Sequence, residues 1–148
     1  MHEKIVLGSD HAGFELKEFV KKELEKRGIP YEDAGAQKLD PNDDYPVFAA
    51  KVARAVSGGD YTRGIAMCGS GIGVSITANR FKNIRATLVD TPDLARIARS
   101  HNNSNILVMG GRTVDEETAR QILDAWLSTK FDGGRHERRL KQLEDTGA

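Results

Sequence analysis

The stretch Cys68-Gly69-Ser70-Gly71-Ile72-Gly73 sets the chain's only cysteine beside three alternating glycines. Glycines at that spacing let the backbone approach a ligand closely. Between a strand and a helix they also present amide N–H groups at the helix start. A thiol there lies at the positive end of the helix dipole, which favours the thiolate, a competent base or nucleophile. A tight turn around a buried cysteine would use the same residues for packing alone. Three familiar loops fail on spacing. A dinucleotide fingerprint needs G-x-G-x-x-G, and here the third glycine comes one residue early, although Asp90 follows at a suitable distance. A Walker A loop needs Gly-Lys-Ser/Thr, which is absent. A cysteine phosphatase needs an arginine where this chain has Val74.

Other polar residues fall into small groups. Asp10-His11 can act on a ligand, or serve as a helix cap beside a surface histidine. His101-Asn102 at a helix end can equally be a C-terminal cap with a favourable histidine–dipole interaction. Arg135, His136, Arg138 and Arg139 form a basic cluster after Gly133-Gly134. Arg135 and Arg139 are four apart, so on a helix they share a face and can clamp one phosphate. A solvated charged tail is the plainer reading of that run. Histidines and carboxylates are not clustered along the chain, so no catalytic metal is expected and plain acid–base chemistry is favoured.

The elements that position these groups show in the apolar pattern. Strands are expected over 4–8, 30–34, 64–68, 85–89 and 105–109. Helical stripes lie between them: Leu16, Phe19, Val20, Leu24; then Phe48, Val52, Ala55, Val56; then Ala119, Ile122, Leu123, Trp126, Leu127. Gly28 can close the first helix in a left-handed conformation. Thr91-Pro92-Asp93 offers an N-cap, a first-turn proline and an acid, and Thr113 with Glu116 reads as a capping box. A charged helix over 135–144 lies outside this pattern. Apolar strands alternating with helices imply right-handed βαβ units. The expected fold is a three-layer α/β/α, Rossmann-like domain over 1–148, with a five-stranded parallel sheet and an added C-terminal helix. Ligands gather beyond the carboxyl ends of such strands. Asp10-His11, Cys68-Gly69, Asp90 and Gly110-Gly111-Arg112 all follow strands.

Composition limits the partners. The 148 residues carry 22 basic and 22 acidic side chains, so no net charge attracts nucleic acid or lipid. Glu137, Glu144 and Asp145 interrupt the basic tail, which argues against a nucleic-acid patch. Glu3 and Lys4 precede only Ile5-Val6-Leu7, so neither a signal peptide nor a membrane span is expected. A lone cysteine cannot form an internal disulfide, which fits the cytoplasm.

Taken together, Gly8-Ser9-Asp10-His11-Ala12-Gly13-Phe14, Asp44-Tyr45-Pro46, the Cys68 loop, Arg80 with Ile84-Arg85-Ala86, His101-Asn102, Gly110-Gly111-Arg112 and Gly133-Gly134-Arg135-His136 resemble the type B ribose-5-phosphate isomerase family from residue 4 to about 140. The resemblance implies reversible, metal-independent isomerisation of ribose 5-phosphate and ribulose 5-phosphate through a cis-enediolate, without a cofactor. It implies a homodimer, sometimes a tetramer, whose sites are shared across the interface. Cys68 would be the base, and His101, from the other chain, would help open the sugar ring. Ser70 and Asp10 would touch the sugar oxygens, and backbone from Gly69 through Gly71 and Ile72 to Gly73 would hold the enediolate. His11, Asn102, Arg112, Arg135 and Arg139 would bind phosphate or nearby hydroxyls. Many members carry threonine where this chain has Ser70. Another branch replaces the cysteine by a glutamate a few residues on, where this chain reads Val74-Ser75-Ile76. The rival readings are an allose-6-phosphate isomerase and a non-catalytic phosphosugar sensor. A phosphoacceptor receiver lacks its aspartate at Cys68 and its lysine near Arg112.

Overall fold

The computed structural model describes residues 3–146. In chain order these form β1 (Ile5–Ser9), a 3-10 turn (His11–Gly13), α1 (Phe14–Lys26), β2 (Tyr31–Asp33), α2 (Tyr45–Ser57), β3 (Arg63–Cys68), α3 (Ile72–Ala78), β4 (Ala86–Leu88), α4 (Pro92–Asn102), β5 (Ile106–Gly110), α5 (Glu116–Ser128) and α6 (Arg135–Thr146). The five strands make one parallel sheet in the order β2-β1-β3-β5-β4.

Alternate strand residues face opposite sides, and each side has its own core. Ile5, Leu7, Ile65, Met67, Leu107 and Met109 pack against α1, α4 and α5, with Trp126 fully buried among them. Val6, Ala66, Cys68, Ile106 and Val108 pack on the other side, against α2 and α3. This is the expected three-layer arrangement. Its order reverses direction between β1 and β3, and the crevice outside their carboxyl ends is where ligands bind in such sheets. The register there pairs Ser9 with Met67, and Cys68 with Gly110 on the far side.

Most local signals act as read. Gly28 adopts φ +68 after α1. Ile29 N–H donates to Leu24 carbonyl at 3.0 Å and Gly28 N–H to Glu25 carbonyl at 3.1 Å, so this is a Schellman end. Thr91 caps α4 through Leu94 N–H at 3.1 Å. The stripe on α2 is turned slightly from expectation: Ala49, Val52, Ala53 and Val56 are buried, while Phe48 and Ala55 flank them.

The capping box at Thr113 and Glu116 does not form. Thr113 Oγ1 donates to Gly110 carbonyl at 3.1 Å, and Asp115 caps α5 by accepting Thr118 N–H at 2.8 Å. The cause lies in the preceding loop. Gly111 N–H reaches Cys68 carbonyl at 2.8 Å and Arg112 N–H reaches Gly69 carbonyl at 2.9 Å. Those bonds stitch the β5 loop to the β3 loop and delay the helix by two residues. The charged tail is a helix, α6, with no buried residue.

Candidate active site

Cys68 ends β3 with only 5% of its surface exposed. Its Sγ accepts the backbone N–H of Gly71 at 3.2 Å. Gly71 makes this possible by turning left-handed, φ +81, at the start of α3. A side chain there would set its Cβ 2.4 Å from Leu88 Cδ1 and 3.2 Å from the Met109 carbonyl carbon. Only glycine fits. The neighbouring glycines admit close approach as well. A Cβ on Gly69 would meet Arg112 Nη1 at 3.0 Å, and one on Gly73 would meet the Tyr45 ring at 2.5 Å. Ser70 is exposed, and its Oγ accepts Ile72 N–H at 3.1 Å.

Beside this loop, at the end of β1, Asp10 is 6% exposed and caps the 3-10 turn by accepting Gly13 N–H at 3.0 Å. His11 is held by an acid the sequence did not single out. Asp43 Oδ1 accepts the His11 backbone N–H at 2.9 Å and lies 2.8 Å from its Nδ1. That hydrogen bond raises the His11 pKa above its usual value, against the opposing effects of burial and Arg112. With Nδ1 engaged, Nε2 is the ring nitrogen open to a ligand. Asp43 Oδ2 is buried, with no hydrogen-bond partner among the described residues. Asp10, His11, Tyr45, Cys68, Ser70 and Arg112 together face one hollow of about 590 Å³, which Gly69, Ile72 and Gly73 also line.

His101, Asn102, Arg135 and Arg139 are not in that hollow. The reason is topological. Helix α4 follows the carboxyl end of β4 and runs back along the sheet, so its last residues, His101 and Asn102, lie toward the strands' amino ends. There the α6 segment joins them. Asp132 N–H donates to Ser100 carbonyl at 3.0 Å, and the His101 and His136 rings stack with centroids 4.3 Å apart and planes 13° apart. Burial, then the charges of His101 and Arg135, lower the His136 pKa. Arg135 and Arg139 are exposed on the same helix. The Cys68 hollow and the His101–His136 group thus lie at opposite ends of the sheet.

Folding also gathers possible metal ligands that chain spacing hid. His101, Asp132 and His136 form one group, and Asp10, His11 and Asp43 another, each with atoms within 4.8 Å. In the first, the two imidazole rings stack face to face. In the second, the His11–Asp43 hydrogen bond occupies the facing atoms.

Fold and site define a doubly wound α/β protein with a thiol-centred, polar hollow at its switch point. The chain belongs to the ribose/galactose isomerase family, whose model matches residues 5–143. It is 43% identical to ribose-5-phosphate isomerase B of Escherichia coli over 140 residues, which are 95% of this chain and 93% of that one. The crystal structure of a ribose 5-phosphate isomerase from Thermotoga maritima matches with a TM-score of 0.94 and 50% identity, covering 98% and 99% of the two chains. Ribose-5-phosphate isomerase B from Mycoplasma genitalium, solved with bound ribulose-5-phosphate, matches with a TM-score of 0.93 and 38% identity, covering 97% and 95%.

Proposed function

We propose that this chain interconverts D-ribose 5-phosphate and D-ribulose 5-phosphate by proton transfer through a cis-enediolate, with Cys68 as the base. The observation that carries this is the Gly71 N–H directed at Cys68 Sγ, at the edge of a sugar-sized hollow. That hydrogen bond holds the sulfur beside the amide groups of the loop. Relatives named ribose-5-phosphate isomerase B cover nearly the whole chain, and one of them binds ribulose-5-phosphate.

In the open-chain aldose the thiolate removes the C2 proton, and the C2–H electron pair forms the C1–C2 double bond while charge moves onto O1. That oxygen is the group to be stabilised, because a carbon-bound proton is a weak acid. Loop amides from Gly69 to Gly73 supply donors there, each on the order of 2.7–4 kcal/mol in comparable oxyanion sites. The thiol returns the proton to C1, while the O2 proton passes to O1 by way of Ser70 or Asp10. His11 and Arg112 bind phosphate or hydroxyls at the rim and hold the sugar in register.

The remaining functions come from a second copy of the chain. His101 of that copy assists ring opening, and its Asn102, Arg135 and Arg139 complete the phosphate anchor. The distance between the Cys68 hollow and the His101–His136 group supports this, as does an apolar rim around the hollow. Ile72 and Ile76 line it and are each more than half exposed, a pattern typical of surface covered in an assembly. Among the described residues no helix is long and apolar enough to cross a membrane, which fits a cytoplasmic enzyme.

The test is direct. Purified protein incubated with ribose 5-phosphate and EDTA should produce ketose. No ketose under conditions where the fold is intact contradicts the proposal.

A further inference from the structure

A second polar hollow, of about 630 Å³, opens at the other end of the sheet. It shares no residue with the one beside Cys68. Three arginines line it: Arg63 at the start of β3, Arg85 just before β4, and Arg99 in the last turn of α4. Like charges gathered in a partly closed space repel one another, so each needs an acceptor or an anion.

The acceptors in the fold do not suffice. Arg99 is 6% exposed and contacts only neutral oxygens: Nη1 donates to Ser104 carbonyl at 2.6 Å and to Asn103 Oδ1 at 2.9 Å, while Nε points to Thr129 carbonyl at 3.4 Å. Its Nη2 finds no acceptor among the described residues. Arg85 uses Nε on Asn103 carbonyl at 3.0 Å and Nη1 on Glu144 at 2.8 Å, again leaving Nη2. Arg63 lies over the Trp126 ring, 5.3 Å from its centroid, and none of its nitrogens has an acceptor among the described residues. The nearby carboxylate of Glu3 is bound by the Thr62 hydroxyl. Burial and the charges of Arg63 and Arg85 bring the Arg99 pKa down to about 10, and burial lowers that of Arg63. Asn83 and Asn103 both line the hollow, and among the described residues they are the only non-glycine positions with positive φ, +66 and +47.

We propose that the Arg63–Arg85–Arg99 hollow is a second anion site, which binds a phosphate or phosphate-monoester dianion outside the isomerase centre. Planar guanidiniums offer paired donors that match phosphate oxygens, and Arg63 and Arg99 have no carboxylate in contact among the described residues. Glu144 is the internal competitor, since it holds the Arg85 nitrogen that an incoming anion would also use.

The test reads the arginines themselves. In ¹H–¹⁵N spectra of the whole protein at constant ionic strength, the Nε–H signals of Arg63 and Arg99 should shift and saturate as inorganic phosphate is added. Glycerol 3-phosphate, run in parallel, distinguishes the sources: tighter saturation by the ester identifies a monoester site, and equal saturation a phosphate site. Arg63→Gln should weaken phosphate binding read at Arg99 by roughly tenfold or more, the scale of one charge-assisted hydrogen bond. Glu144→Gln should strengthen binding, a change in the direction that damage to the fold would not produce. The proposal is overturned if Arg63 and Arg99 respond to phosphate no more than to chloride, or if Arg63→Gln leaves the Arg99 response unchanged.

Discussion

His11 Nδ1 lies 2.8 Å from Asp43 Oδ1, and the same oxygen accepts the His11 backbone N–H at 2.9 Å. One carboxylate therefore fixes both the ring and its backbone, across 32 residues of sequence. The hydrogen bond raises the histidine pKa, so the ring keeps its positive charge to higher pH than a free histidine does. Substrate capture that relies on this charge should weaken as pH rises through the raised value. In Asp43→Asn the same decline in kcat/KM should begin at lower pH, closer to 6.5. Superimposable pH profiles for the two proteins would remove Asp43 from this role.

Gly71→Ala should harm both stability and rate. A side chain in the left-handed region costs about 1–2 kcal/mol, and here its Cβ also meets Leu88 and the Met109 backbone. Relief of that contact moves the amide away from Cys68 Sγ. We expect a loss of about 1–2 kcal/mol in urea unfolding, with kcat down roughly tenfold or more from misplacement of the reacting groups. Wild-type kcat in a destabilised variant would show that the amide does not assist the sulfur.

The proposed sharing of each site between two chains predicts complementation. Cys68→Ala and His101→Ala chains should each be inactive as homodimers. Mixed after subunit exchange, they should regain about a quarter of wild-type activity, because half the dimers are mixed and each contains one intact site. No recovery, with exchange verified, would mean that both residues act within one chain.

Stability on the acid side should depend on Glu23. Burial works against its charge, but Arg27, Lys26 and Arg120 outweigh this and hold the carboxyl at about pKa 2. Because the folded value lies below the unfolded one of 4.5, its contribution is complete above about pH 4.5 and fades as pH falls toward 2. Glu23→Gln should therefore be less stable at neutral pH and show a shallower acid slope in thermal unfolding. Parallel curves for the two proteins would contradict this.

The sheet was legible because its strands are short apolar runs separated by helices with one apolar stripe, and those periods differ sharply. The Cys68 loop was legible because three alternating glycines are rare outside close-approach turns. Asp43 was hidden because nothing in Asp43-Asp44-Tyr45-Pro46 distinguishes it from a helix cap, and its partner is distant in sequence. Thr113 misled because a capping box is a local pattern, whereas long-range bonds from Gly111 and Arg112 decide where α5 begins. The arginine hollow combines residues at three separate strand and helix ends, so no single window of sequence reveals it.

Deuterium at C2 of ribose 5-phosphate offers the most direct test of Cys68 as the base. Wild-type enzyme in ordinary water should remove the label from C2 while forming ribulose 5-phosphate, passing it to C1 or, where the thiol exchanges with water first, releasing it to solvent. Cys68→Ala, with an unchanged circular dichroism spectrum, should neither remove the label from C2 nor form ketose at more than roughly a hundredth of that rate, in keeping with the usual contribution of a general base. Removal of the label from C2 by Cys68→Ala at close to the wild-type rate would contradict the account.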